Sequence, residues 1–379
     1  MDITELRENI DQVDAQLVQL LAKRLEFALE INRAKRAHRM PLRDAEREAI
    51  VLGAAQVHTQ PPLDSSEALD LMRMILEFSR GAVKRRITAE GVEPLHVAII
   101  GVGLIGGSIA RALKRANQAH TISGVDLPHR LVSAQGAGLF KTLHEPRHGK
   151  LAVQDADVVF LCAPPSRNLE LLAAVMADAK PGAIVTDVGG VKRAICDAAA
   201  SIATKAVFIG GHPMAGKATA GFENSTASLF ESRAWVLSPE RGVDKAALRR
   251  LKALIESTGA SVQLLTGDEH DRIVPAVSHL PQLAAIALTL TVGGRDHGIA
   301  GPALMDMTRL AESSPHLWQE LLAASRTEVV GEVQRLRTYL TEIEMALGLH
   351  EPLLALFERA AALRKTMVSG SVVQAEAGE

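Results

Sequence analysis

The residues with the clearest chemical potential are Gly101-Val-Gly103-Leu104-Ile105-Gly106, which follow the apolar run Val97–Ile100 and open a helical stretch. In this spacing the first glycine permits a tight turn and the second lets backbone approach a pyrophosphate. The third lets helix and strand pack closely, and the helix N-terminus faces the negative charge. The motif alone is weak, and a glycine turn without ligand is the competing reading. Asp126 strengthens it, because a carboxylate ending the next strand accepts both ribose hydroxyls and repels a 2′-phosphate. The pair predicts a dinucleotide site favouring NAD over NADP, with Arg130 close by leaving room for NADP. Ala163 and Pro164, after the run Val158–Leu161, are further expected cofactor contacts.

A second cluster is Gly210-Gly-His212-Pro-Met-Ala-Gly216, directly after another apolar run. That places His212 at the carboxyl edge of a sheet, where open α/β folds bind ligands. Most of the 13 histidines must be structural. The glycines and proline around His212, in a loop expected to face the cofactor, mark it as a general base, and a neutral imidazole suits that task near neutrality.

The elements that would carry these groups fall into three segments. Residues 2–39 place Leu6, Ile10, Val13, Leu17, Leu20, Leu21, Phe27 and Ile31 at steps of three and four, the pattern of one long amphipathic helix. Pro41 stops it, Asp44 starts a second helix that ends at Pro61-Pro62, and Asp64-Ser-Ser-Glu67 opens a third running to about Arg86. One long helix cannot bury its whole stripe against two short ones, which predicts an intertwined homodimer. Thr88–Pro94 reads as a linker. Then Val97–Ile100, Thr121–Val125, Val158–Leu161, Ala183–Thr186, Val207–Ile209 and Trp235–Leu237 alternate with helical stretches, which predicts a doubly wound parallel sheet. After Gly267 the strands cease; residues 268–292, 303–348 and 351–368 read as helices, broken near Gly293-Gly294 and Pro302, with a frayed tail after Ser369. The expected fold is multidomain: an all-α domain at 1–90, a Rossmann-type α/β domain at 91–266 and an all-α dimerisation domain at 267–379.

Composition narrows the function. With 47% hydrophobic and 23% charged residues over 379 positions, the chain is globular and too long for one core. A net charge of −2 provides no field for nucleic acid. Cys162 and Cys196 offer neither a disulfide framework nor zinc spacing, so no metal is expected. The N-terminus lacks signal-peptide character and no run of about 18 apolar residues suggests a membrane helix, so a cytoplasmic protein is expected.

The His212 loop is similar to that of prephenate dehydrogenases. The likeness continues through Asp187-Val-Gly-Gly-Val-Lys192, Ser278-His279-Leu-Pro281 and Asp306-Met-Thr-Arg309 to Pro315 and Trp318. It covers roughly residues 95–365 and implies a Rossmann domain followed by a helical dimerisation domain. In that family a hydride passes from the hydroxyl-bearing ring carbon of prephenate to the nicotinamide, and the ring carboxylate leaves as carbon dioxide. The resemblance implies His212 as base and Arg309 as bidentate partner of a substrate carboxylate. Lys192 and His279 are further catalytic candidates, and Gln282 a substrate contact standing where a second histidine is frequent. Gly190 replaces a common serine, and Lys217-Ala218 a common Ser/Thr-Glu pair.

Residues 1 to about 85 resemble the all-helical chorismate mutases at Arg7, Arg24, Lys35, Asp44, Arg47, Glu48 and Ser79. That family rearranges chorismate to prephenate electrostatically, with cations on two carboxylates and on the ether oxygen. Arg24 and Lys35 lie eleven residues apart and share a helix face, whereas Arg7, seventeen before Arg24, points roughly 100° away. The resemblance implies that Arg7 serves the partner's pocket. Val83 stands where the family places Gln or Glu beside the ether oxygen. The expected activity is therefore chorismate to prephenate to 4-hydroxyphenylpyruvate, with NAD. The alternatives are a dehydrogenase for arogenate or the 4-amino analogue of prephenate, a generic β-hydroxyacid dehydrogenase, and a non-catalytic dimerisation or effector-binding role for residues 1–90.

Overall fold

In the computed structural model the chain divides into two compact units, Met1–Glu93 and Pro94–Glu379. The structure describes residues 2–38, 40, 44–90, 92–217, 219–295 and 298–376, without the side chains of 37, 84, 88, 89, 316, 317 and 368–376. Pro41 as helix stop, Gly91 in the linker, Ala218 after the histidine loop and the end of the tail lie outside the described residues.

The first unit is three helices, α1 (Ile3–Ala37), α2 (Ala45–Val57) and α3 (Ser65–Glu90). Glu5 in the first turn of α1 and Lys35 and Arg36 in its last turn complement the helix dipole. Asp44 caps α2 by accepting from the Arg47 N–H at 3.0 Å. Asp64 and Glu67 cap α3 reciprocally: Oδ1 of Asp64 accepts from the Glu67 N–H at 2.9 Å, and Oε2 of Glu67 accepts from the Asp64 N–H at 2.9 Å. Helix α3 continues past Arg86 into the predicted linker. Leu25 of α1 packs with Ala82, Val83 and Ile87 of α3 in a small core. The N-terminal half of α1 leaves its stripe open, with Leu6, Ile10, Val13, Leu17 and Leu20 between 45% and 64% exposed.

The second unit begins with strands β1 (His96–Ile100), β2 (Thr121–Val125), β3 (Thr142–His144), β4 (Val158–Leu161), β5 (Ile184–Asp187), β6 (Val207–Pro213), β7 (Ala234–Pro239) and β8 (Ser261–Leu264). They interleave with α4 (Leu104–Ala116), α5 (Pro128–Gln135), α6 (Lys150–Val153), α7 (Pro165–Asp178), α8 (Arg193–Ala200) and α9 (Lys245–Ser257). The order is β3-β2-β1-β4-β5-β6-β7-β8, parallel through β6, with β7 antiparallel to β6. That is the Rossmann order 3-2-1-4-5-6 with two strands added. Its central strands are buried on both faces, as a parallel sheet requires. Sequence reading missed the edge strands β3 and β8. It also ended β6 at Ile209, whereas pairing continues through His212↔Val236 and Pro213↔Trp235. His212 therefore sits on a strand and not in a loop.

The helices that follow are α10 (Gly267–Val274), a π turn at Pro275–His279, α11 (Leu280–Val292) and α12 (Pro302–Thr308). A 3-10 turn at Arg309–Glu312 leads to α13 (Pro315–Ala324), α14 (Arg326–Ala346) and α15 (His350–Glu376). The single stretch predicted at 303–348 is thus four pieces, with breaks at Arg309, before Pro315 and at Ser325. Thr266 and Glu269 start α10 with a capping box. Gly267–Val292 is long and apolar enough to cross a membrane, which the sequence reading did not anticipate. It carries the buried His270, Asp271 and His279, and those side chains bond other parts of this unit.

Candidate active site

The glycine loop is held from three sides. Gly101 has a φ of +102° and donates its N–H to the Val125 carbonyl at 2.8 Å. A Cβ there would lie 2.6 Å from the Cys162 carbonyl carbon and 2.8 Å from the Ala163 nitrogen. Gly106 is pressed against the Gly101 carbonyl oxygen, so neither position accepts a side chain. At Gly103, by contrast, nothing lies within 4 Å of a built Cβ. The open backbone sits at the N-terminus of α4, beside the half-buried Leu104 and Ile105, and that cradle fits a pyrophosphate.

Asp126 is 8% exposed. Its Oδ2 accepts from the Val102 N–H and its Oδ1 from the Leu127 N–H, each at 2.7 Å. The carboxylate thus ties the glycine loop to the end of β2, and each oxygen keeps acceptor capacity for a ribose hydroxyl. On the other side, Ala163 donates its N–H to the Asn168 Oδ1 at 3.1 Å, fixing the Ala163-Pro164 turn against Gly101. A cavity of about 320 Å³ opens between Pro165, Asp187, Val191 and Glu320, at the carboxyl ends of β4 and β5.

His212 lies one strand further along the same edge. Asp187 anchors it: Oδ1 accepts from the Gly211 N–H at 3.0 Å, and Oδ2 accepts from the Gly189 N–H at 2.8 Å and from the Lys192 ammonium. Lys192 is fully buried and ion-paired with Asp187. Its charge orients Asp187. The His212 ring is partly exposed, and Nδ1 lies 2.8 Å from the Nε2 of His270. His270 Nδ1 in turn lies 2.7 Å from the Asp271 Oδ1. Burial first, and then the proximity of His270, Lys192 and His279, hold the His212 pKa well below the ordinary histidine value. The imidazole is neutral at neutral pH, as a base must be.

His279 is 2% exposed, with its ring edge-on to Trp318 at 5.6 Å. Its Nδ1 lies 3.1 Å from the Ser325 hydroxyl, which donates to the Leu321 carbonyl at 2.7 Å, so His279 donates from Nδ1. Gln282, one turn later, is also 2% exposed and donates its amide to the Leu310 carbonyl at 2.7 Å. One N–H of its amide is committed to the turn that carries Arg309. Arg309 itself is exposed. His270 and Asp271 were missed: in sequence they look like one polar turn of an amphipathic helix, and no spacing rule connects them to His212.

In the first unit the Arg24 guanidinium donates to the Ser79 hydroxyl, joining α1 to α3. Lys35 Nζ lies 3.6 Å from the Asp44 Oδ2. Arg80, absent from the expected set, donates to Glu48 at 2.8 and 3.1 Å. Arg7 and Arg47 are exposed, and Arg7 stands on the open half of α1. Val83 is 3% exposed within the apolar α1–α3 core.

A glycine cradle on a Rossmann sheet, an acid at the end of β2 and a neutral, oriented histidine on the same edge define a dinucleotide-dependent dehydrogenase that oxidises an alcohol. Residues 109–264 match the prephenate dehydrogenase nucleotide-binding domain, residues 266–356 its dimerization domain, and residues 6–83 the type II chorismate mutases. The chain belongs to the prephenate dehydrogenase family, with a chorismate mutase domain ahead of the dehydrogenase. It is 32% identical to a prephenate dehydrogenase of Lactococcus lactis subsp. cremoris over 260 residues, covering 66% of this chain and 70% of that protein. A T-protein of Haemophilus influenzae is 25% identical over 327 residues, 86% of this chain and 77% of its own length. The crystal structure of prephenate dehydrogenase from A. aeolicus, in complex with hydroxyphenyl propionate and NAD+, superposes with a TM-score of 0.63 at 25% identity. That match covers 73% of this chain and 99% of the other.

Proposed function

We propose that the chain makes prephenate from chorismate in its first unit and converts prephenate to 4-hydroxyphenylpyruvate in its second, two consecutive steps toward tyrosine. The observation that carries the dehydrogenase reading is the neutral, hydrogen-bonded His212 at the sheet's carboxyl edge, on the side where Gly101–Gly106 and Ala163-Pro164 form the cofactor cradle.

NAD, when bound, accepts the hydride. Asp126 sets the preference for NAD over NADP by opposing a 2′-phosphate. His212 takes the hydroxyl proton of the substrate at Nε2, so that a carbonyl can form as the hydride departs. Arg309 pairs with a substrate carboxylate through its planar fork. The ring carboxylate leaves as carbon dioxide, its C–C bonding electrons stay in the ring, and aromatisation makes the step irreversible.

In the first unit Arg24 and Lys35 hold a carboxylate and the ether oxygen, with Arg7 supplied by a second copy. The open apolar stripe on α1 supports that homodimer. The protein is a cytoplasmic enzyme acting on small molecules, with no nucleic acid or membrane partner. The test is NADH formation with prephenate, arogenate and the 4-amino analogue supplied separately. The reading requires prephenate to have the highest kcat/KM.

A further inference from the structure

Three side chains on two elements form one continuous line of hydrogen bonds behind the proposed base. His212 stands near the end of β6, and His270 and Asp271 lie in α10, buried to 0% and 6% exposure. The far end of the line is fixed by backbone. Asp271 Oδ1 accepts from the Lys192 N–H at 2.8 Å and from His270 Nδ1 at 2.7 Å, and Oδ2 accepts from the Arg193 N–H at 2.9 Å.

The direction of every bond follows from that end. Burial, the largest influence on Asp271, favours its protonation, but the bonds from His270, Lys192 and Arg193 outweigh it and hold its pKa below the ordinary value. A carboxylate only accepts, so His270 must carry its hydrogen on Nδ1. In a neutral His270 the other nitrogen, Nε2, is then the acceptor. It lies 2.8 Å from His212 Nδ1, which must donate. The lone pair of His212 is then on Nε2, the nitrogen left for substrate.

We propose that His270 and Asp271 are positioning residues which lock His212 into the tautomer with a bare Nε2 and support the imidazolium formed when it takes a proton. This rests on the dehydrogenase reading above and adds to it a relay that the base needs in order to work. No proton leaves His212 along the line. The substrate proton is bound at Nε2, Nδ1–H stays bonded to His270, and the Asp271 charge at the far end compensates the new positive charge. The same bonds clamp the N-terminus of α8 to α10, because Lys192 and Arg193 supply the backbone donors.

The test uses the full-length protein and has two arms. In the first, imidazole nitrogens are labelled with ¹⁵N, and the His212 signals are assigned by their loss in His212→Asn. No substrate is needed. The wild type is expected to show a protonated Nδ1 and a bare Nε2, and Asp271→Asn and His270→Gln to lose that fixed pattern. In the second arm, kcat, KM and the pH profile of NAD reduction by prephenate are measured. Asp271→Asn should lower kcat by about 10²-fold or more, the scale of a general base's worth, with KM little changed.

Its acid limb should move to lower pH, because removing the anion makes the imidazolium harder to form. The groups facing His212 that set this limb are His270 and Asp271 on α10, Asp187 at the end of β5, Lys192 at the start of α8, and His279 on the π turn. Wild-type kcat and an unmoved limb in Asp271→Asn would overturn the relay, as would a His212 protonated on Nε2. So would a loss of activity in both variants that follows only their loss of folded protein. A wild type that ignores prephenate but shows the bare Nε2 would sink the substrate reading and leave the relay standing.

Discussion

Leu321 fills the space that a side chain at position 190 would need. A Cβ built on Gly190 would lie 2.9 Å from Leu321 Cδ2 and 3.7 Å from His212 Cε1. Leu321 is itself 9% exposed. The wall beside the base is therefore apolar, where the resemblance led us to expect a serine. An apolar wall gives the group being oxidised no hydrogen-bond partner at position 190 and leaves that contact to His212. Gly190→Ser should lower prephenate turnover by forcing Leu321 aside, and Gly190→Ser with Leu321→Ala should recover part of it. A single Gly190→Ser variant with unchanged or better kcat/KM would show that Leu321 does not shape the site.

Asp126 bonds both the glycine loop and its own neighbour, so its replacement has two effects. Asp126→Ala should raise the KM for NAD, since the Val102 N–H loses its partner, and should narrow the preference over NADP. Initial rates with both cofactors check this. If NADP is already preferred by the wild type, Arg130 dominates and the assignment of Asp126 is wrong.

Acid should weaken both activity and fold through the histidines. Burial lowers the pKa of His120, His212 and His279 from their ordinary value near 6.5. The unfolded chain therefore binds protons at a higher pH than the folded one. The stability gained by keeping these rings neutral is complete above that ordinary value and is lost as pH falls toward the folded values. Thermal unfolding followed from about pH 7 to pH 5, the range these groups span, should show a falling Tm. The acid limb of kcat/KM with prephenate should lie below the ordinary histidine value, and a limb above it would contradict the environment of His212.

The cradle was legible because Gly101 and Gly106 answer to backbone constraints that sequence spacing displays. The place of His212 at the carboxyl end of β6 was legible from the apolar run that precedes it. The burial of Lys192 against Asp187 was not legible, because a motif position says nothing of burial and the pair is made by the β5–α8 turn. Gln282, His270 and Asp271 act across distances of 28, 58 and 79 residues. Contacts at such separations leave no local periodicity. The edge strands β3 and β8 escaped because three or four residues with mixed exposure show neither alternation nor a continuous apolar run.

Val83 belongs to the packing of α1 against α3, and this changes what its substitution should do. Val83→Gln places an amide inside an apolar core, at a cost of about 1–3 kcal/mol without a partner. The expected outcome is a lower unfolding temperature for the first unit, with chorismate turnover no better than wild type. A rise in turnover at unchanged stability would instead place position 83 in the pocket. Lys35→Ala should abolish most chorismate turnover while prephenate oxidation continues, since the two activities use separate residues.

The most direct measurement supplies the intact protein with chorismate and NAD and no prephenate, and follows NADH and carbon dioxide together. The account predicts that both appear in equal amounts after a lag, that added prephenate removes the lag, and that His212→Asn accumulates prephenate while making neither. A protein that oxidises prephenate yet leaves chorismate untouched would reduce the first unit to a dimerisation module. One in which His212→Asn still forms NADH at the wild-type rate would contradict the central claim.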